Sequence, residues 1–137
     1  MGTKTIGRFI NTTPTAVGVN SNILFNNNTI STNCIAYTNN GIELRAPGVY
    51  MIYANFTVTS VAGGTATINM LENGVPVAGA SASETVGAVE LRDLAFTGIT
   101  TVRSDSGNNT PQYATLTFNN ANAMTYNVAN VIVEKIA

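Results

Sequence analysis

Histidine is missing from this sequence, as is tryptophan. Histidine is the side chain that most often works as a general base near neutral pH and the commonest protein ligand for a transition metal, so triads built on it are excluded. Cysteine occurs once, at Cys34, and no intrachain disulfide can form. In the run NCIAYT, Cys34 is expected as a small buried apolar residue, not a reactive thiol. Charge is also scarce: 9% of residues carry it and the formal net charge is −1. That leaves neither a basic footprint for nucleic acid nor a polybasic strip for anionic lipid. No stretch approaches the about 18 apolar residues that a membrane-spanning helix needs. The opening MGTKTIGRFI has no apolar core and no small-residue cleavage site, so the chain as written is not expected to be addressed for secretion. Nucleic acid and membrane insertion are not expected partners.

The chemistry of catalysis is thin as well. The seven acids are Glu43, Glu72, Glu84, Glu90, Asp93, Asp105 and Glu134, and no dense ligand run of the D-x-D-x-D-G kind joins them. Glu90 and Asp93 flank Arg92 and are expected to be solvated surface charge. The glycines lack phosphate-loop spacing and a following helix. With no base and nucleophile pair, no catalytic residue, metal ligand or cofactor site is assigned, and the chain is expected not to be an enzyme.

What the sequence does have is neutral polarity, with 19 Asn and 20 Thr among 137 residues. Threonine suits strands, and asparagine suits turns because it tolerates positive φ and bonds its own backbone. Strand-like runs are expected near residues 5–13, 23–25, 34–38, 41–45, 48–59, 66–72, 75–80, 88–102, 113–119 and 124–136. Asn73-Gly74, between apolar runs, predicts a type I′ hairpin, and TNNG at 38–41 predicts a second turn of the same chemistry. Pro76 cannot donate to a ladder, so its strand is expected at an edge or pairing only on its other side. The Asn-rich runs 25–29 and 118–123 read as turns, and 60–66 and 104–112 as loops. Helical periodicity and fixed-length repeats are both missing, so the expected fold is all-β, a two-sheet antiparallel jelly-roll sandwich in a single domain.

One strand has an unusual second face. In RAPGVYMIYANFTV, residues Arg45 to Val58, the period of two sets Tyr50, Ile52, Ala54, Phe56 and Val58 on one apolar side. The opposite side begins Val49, Met51, Tyr53, which water would not be expected to cover. The last strand also has two apolar sides: Val128 and Ile132 fall on one, Ala129, Val131 and Val133 on the other. Single chains seldom expose a joined apolar patch of that extent. Val49, Met51, Tyr53, Ala129, Val131 and Val133 are therefore expected to meet sister subunits.

Three stretches carry a family likeness: GRFINTTPTAVGVNSNILFN as an opening strand and its partner, GIELRAPGVYMIYANFTV with its Pro47-Gly48-Val49-Tyr50 entry, and INMLENGVPVAG as a central hairpin. With VANVIVEKIA as the last strand, they span residues 7 to 137 nearly continuously. In that order they resemble the trimeric jelly rolls of the tumour necrosis factor and complement globular-head superfamily. The likeness is to its bacterial and phage branch, such as the C-terminal domains of spore-surface collagen-like glycoproteins and phage fibre or capsid decoration domains. The resemblance implies a homotrimer around a threefold axis, with the termini close together at one end.

On that basis the expected role is a structural virion protein of a phage: capsid decoration, head fibre or fibre knob, assembled in the host cytoplasm and displayed on the virion surface. Residues 1–6 would be a short attachment segment to a capsid or fibre protein, and 7–137 the jelly-roll domain. The alternative is a receptor- or carbohydrate-binding knob for a host glycan or protein, or a spore-surface or secreted trimeric ligand domain. Loops on a rigid sandwich are where binding is usually placed. The candidate loops are Ala62–Thr65, Ser81–Gly87 and the longest, where Ser104, Asp105, Asn108, Asn109 and Gln112 are the candidate contacts.

Overall fold

The computed structural model describes residues 4–103 and 113–137. The strands are β1 (Ile6–Asn11), β2 (Thr15–Val17), β3 (Ser21–Asn22), β4 (Asn27–Ile30), β5 (Ile35–Thr38), β6 (Gly41–Leu44), β7 (Gly48–Thr59), β8 (Gly64–Glu72), β9 (Val75–Val86), β10 (Arg92–Val102), β11 (Ala114–Asn120) and β12 (Met124–Lys135). They form two six-stranded antiparallel sheets. The first runs β10-β7-β12-β1-β4, with β2 also on β12. The second runs β5-β6-β11-β8-β9, with β3 on β11. This is the expected jelly-roll sandwich.

The predicted turns are there for the predicted reason. Asn73 and Gly74 have φ of 52° and 84° between β8 and β9, and Asn39 and Asn40 have φ of 52° and 62° between β5 and β6. Paired left-handed residues give the turn twist that matches a right-twisted hairpin. Pro76 lies in β9, the edge of the second sheet, where a missing N–H costs no central ladder bond.

Three expectations need correction. Residues 27–29, read as part of a turn, lie in β4, which pairs Gly7 to Ile30 and Ile10 to Asn27 along β1. An edge strand needs only one partner, and this pairing overrides the turn preference of asparagine. Ile23 and Phe25, expected in a strand, lie between strands yet are buried, their N–H groups donating to the Phe118 carbonyl and the Tyr37 hydroxyl. The boundary after residue 6 falls inside β1, and Thr5 is already buried, its carbonyl accepting from Lys135 N–H at 3.0 Å.

Between the sheets an aromatic chain fills the core. Phe9 meets Phe25, Phe25 meets Phe118 and Phe118 meets Phe56, with ring centroids 6.3, 6.0 and 5.7 Å apart. Such contacts contribute about 0.5–1.5 kcal/mol each beyond the area they bury. Toward one end the core holds a polar network. The Tyr126 hydroxyl donates to Asn120 Oδ1 at 2.5 Å, and Asn120 Nδ2 donates to the carbonyls of Val17 and Gly18 at 3.0 and 3.1 Å. This joins the β2–β3 segment to β11 and β12.

Burial pushes the Tyr126 phenol up from its ordinary value. Tyr126→Phe leaves Asn120 Oδ1 without its donor, and stability in urea is expected to fall by about 1–3 kcal/mol. In the unfolded chain the phenol ionises near pH 10, whereas the folded chain holds it neutral to higher pH. Its contribution is therefore complete below about pH 10 and is lost as pH rises above it. A pH series of urea melts should show that loss in the parent chain and a shallower one in Tyr126→Phe.

Candidate interaction surface

Opposed residues of antiparallel strands share a face, so the ladder registers assign the outer face of the first sheet residue by residue. Arg8 opposes Ile132, Ile132 opposes Tyr53 and Tyr53 opposes Thr97. One row away, Ile10 opposes Asn130, Asn130 opposes Asn55 and Asn55 opposes Ala95. On the other side, Ile6 opposes Glu134, Glu134 opposes Met51 and Met51 opposes Ile99. Val49, Met51 and Tyr53 thus lie on this face as expected, and Tyr53 is 43% exposed.

Ala129, Val131 and Val133 do not. They oppose Phe56, Ala54 and Ile52, which point into the sandwich, and they are 1%, 0% and 0% exposed. The alternation expected for β12 is present, but its two sides are exchanged: Val128, Asn130 and Ile132 face outward. The sequence does carry a signal for this. Ala129-Val131-Val133 is uninterrupted, whereas Val128-Asn130-Ile132-Glu134 contains an amide and a carboxylate that a core would have to desolvate.

The second sheet is an internal control. Its outer face shows Thr65, Thr67 and Asn69 on β8 opposite Thr85, Ser83 and Ser81 on β9, with a hydrogen bond of 2.9 Å between the Thr67 and Ser83 hydroxyls. Hydroxyls and amides cover that stretch, while the first sheet sets Ile6, Ile10, Met51, Tyr53, Ile99, Val128 and Ile132 among polar residues such as Asn55, Thr97 and Asn130. Ile99 is 55% and Val128 38% exposed. Two depressions mark the apolar face: one of about 520 Å³ lined by Tyr53, Asn55, Ala95, Thr97, Asn130 and Ile132, and one of about 380 Å³ lined by Ile6, Arg8, Thr29 and Ile132.

Arg8 lies within this face, and other charges sit near its margins. Lys4 Nζ lies 3.3 Å from Glu134, and Asp93 accepts from the Thr57 hydroxyl at 2.8 Å. Glu90 and Asp93 are not a pair. Arg92 Nε lies 2.7 Å from Glu90, and the guanidinium reaches Glu84 at 3.7 Å. The hydrogen bond from Arg92, helped by one from Gly87 N–H, holds the exposed Glu90 carboxyl below its ordinary value. Among the described residues no cluster of three His, Cys, Asp or Glu side chains could hold a metal.

The Pro47-Gly48-Val49-Tyr50 entry sets the start of β7. Gly48 has φ of 150°, and a Cβ there would collide with the Ala137 carbonyl, which accepts from Val49 N–H at 3.1 Å. Tyr50 turns inward and donates its hydroxyl to the Ala46 carbonyl at 2.6 Å. The C-terminus is thereby held beside the first residues of β7, and β1 pairs with β12, so Thr5 and Ala137 lie at one end of the sandwich.

Of the loop candidates, Ser104, Asp105, Asn108, Asn109 and Gln112 lie outside the described residues. Ser81–Gly87 is not a loop: all but its last residue belongs to β9. Tyr113 is exposed, with the Arg45 guanidinium 5.9 Å from its ring centroid. Cys34 is half-buried, more open than expected.

No family model and no curated protein matches the sequence. Solved structures do match over nearly all of the chain. The Eiger TNF of S. frugiperda superposes with a TM-score of 0.72 at 10% identity, covering 98% of this chain and 93% of that one. The globular domain of zebrafish complement 1qA gives 0.65 at 10% identity, covering 93% and 95%. Vertex protein P5 of phage PRD1 gives 0.54 at 15% identity, covering all of both chains. At these identities the likeness is one of fold, and the fold is the all-β jelly roll of the TNF and complement globular-head type.

Proposed function

We propose that this chain is a non-enzymatic structural protein of a phage virion, acting as a homotrimer at the particle surface in capsid decoration, a head fibre or a fibre knob. The observation that carries the reading is the difference between the two outer sheet faces: one shows threonine, serine and asparagine across β8 and β9, whereas the other sets Tyr53, Met51, Ile99, Val128 and Ile132 among its polar residues. A solvated apolar patch of large extent is the exception among monomers, whereas obligate interfaces bury about 2,000 Å² or more of surface in total. The trimer draws support from the resemblance to trimeric jelly rolls, and the virion role from the likeness to a vertex protein over the full length of both chains. The termini lie together, so a link to a capsid or fibre protein through the first residues would leave the opposite end free.

A second reading, adhesion to a host surface, is favoured by that opposite end. Val61, Val89 and Leu91 are 86%, 74% and 57% exposed there, and Val89 N–H donates to the Ser60 carbonyl at 2.8 Å, joining the two loops. Val89 has φ of 52°, a conformation a β-branched residue rarely adopts, and such strain clusters at functional sites.

Sedimentation equilibrium of the purified chain is expected to give three times the 14.3 kDa protomer mass, and a well-folded monomer at micromolar concentration would overturn the trimer. Ile99→Glu adds a charge that the lone chain can solvate, so it is expected to yield folded monomer. Gold-labelled antibody on purified particles from the source should decorate their surface, and unlabelled particles that lack the protein refute the virion role. If the far end adheres to cells, Val61→Asp should cut adsorption at least about tenfold while the trimer mass is unchanged.

A further inference from the structure

The inward row of β8 ends on a charge. Ala66, Ile68 and Met70 are fully buried, and the next residue of that row is Glu72, opposite Leu116 of β11. A carboxylate in a core row is costly unless it reaches water or a ligand. Glu72 opens onto a cleft of about 220 Å³ that it lines with Asn73, Thr101, Arg103 and Tyr113, residues contributed by both sheets and their ends. The cleft lies at the end of the sandwich that holds Thr5 and Ala137, beneath β10, three strands from β1. At about 4.8 Å per strand that is about 14 Å, so an attachment through the first residues need not cover it.

The polar groups there are fixed but unspent. Asn73 Oδ1 accepts from Thr115 N–H at 2.9 Å, which orients the amide, and Nδ2 has no hydrogen-bond partner among the described residues. Neither Glu72 nor Arg103 makes an ion pair among the described residues. Tyr113 is buttressed from its other side, with the Arg45 guanidinium 5.9 Å from the ring centroid and Arg45 held in turn by Glu43 at 2.6 Å. One carboxylate and one guanidinium leave the lining without net charge, which disfavours a bare cation or anion. A pyranose matches what remains. Its hydroxyls donate to a carboxylate and accept from a guanidinium and an amide, while its C–H face lies against an aromatic ring.

We infer that this cleft binds the terminal neutral pyranose of a glycan, with Tyr113 as the platform, Glu72 as acceptor, and Asn73 and Arg103 as donors. The volume admits one ring, being smaller than the about 300–1,000 Å³ of pockets for drug-sized ligands. All of these residues come from one chain, so the inference rests on neither the trimer nor the virion reading. It gives adhesion a site separate from the Val61 end. A ring of about twelve non-hydrogen atoms is expected to bind with a Kd of about 1 mM.

Saturation-transfer NMR on the full chain tests it, with glucose, galactose, mannose, fucose, rhamnose, N-acetylglucosamine and N-acetylgalactosamine as neutral probes and N-acetylneuraminic acid as the acidic one. At least one neutral sugar should show transfer. Tyr113→Ala and Glu72→Gln, each checked for folding by circular dichroism, should weaken its binding at least about fivefold, whereas Tyr113→Phe, which keeps the ring, should stay within about twofold of the parent. Val61→Asp should leave binding unchanged. Transfer to no neutral sugar, transfer to the acidic sugar alone, or binding that survives both Tyr113→Ala and Glu72→Gln overturns the inference. Loss in Val61→Asp but not in Tyr113→Ala also overturns it and assigns the sugar to the far end.

Discussion

Directly opposed residues on antiparallel strands point their side chains to the same side of the sheet, and β12 carries that rule across the first sheet because it is paired with β7 on one flank and β1 on the other. A register irregularity between Tyr126 and Val128 allows Tyr126 and the Ala129-Val131-Val133 row to face the core together. A regular strand that kept Tyr126 inside would turn Asn130 and Glu134 inward with it. The bulge thus protects two things at once: the Tyr126–Asn120 bond, and the outward placement of every polar side chain that the core would have to desolvate.

From that phase follows the division of labour between the sheets. Both give one face to the shared core, where Phe9, Phe25, Phe118 and Phe56 form a continuous line of rings. They differ on the other face. The second sheet meets water through short neutral side chains that bond one another across the ladder, as Thr67 and Ser83 do. This explains how a chain with so few charges can still have a hydrated side. The first sheet sets its threonines and asparagines among exposed aliphatic and aromatic side chains, and its few charges are Lys4, Glu134 and Asp93 toward the margins and Arg8 within the face.

Much of this was legible in the sequence because it depends on local chemistry. The Asn73-Gly74 turn, the edge position of Pro76, the inward row from Tyr50 to Val58 and the outward Val49, Met51 and Tyr53 all follow from period and turn propensity. What was not legible depends on pairing between distant segments. Nothing local distinguishes β4 from a turn until β1 lies beside it, and the phase of β12 is fixed by its register with β7. The contrast between an uninterrupted aliphatic row and one broken by Asn130 and Glu134 was the available clue to that phase. Ile99 was hidden for a related reason: only when Met51 lies opposite does an isolated isoleucine in a threonine-rich run become part of a surface.

The pairing of β1 with β12 also governs when the molecule can exist at all. Ile6 opposes Glu134, so the first strand made has its central-sheet neighbour in the last. Contacts between such distant positions make folding slow, because the closure entropy of nearly the whole chain precedes their reward. On a ribosome, β1 and β7 lack the strand that joins them until β12 emerges. During that interval the aliphatic rows on both sides of the unfinished sheet are open to solvent and to neighbouring nascent chains. Completion of β12 is therefore the step that turns a sticky intermediate into a protomer, and loss of this strand would remove the centre of the sheet and not its fringe.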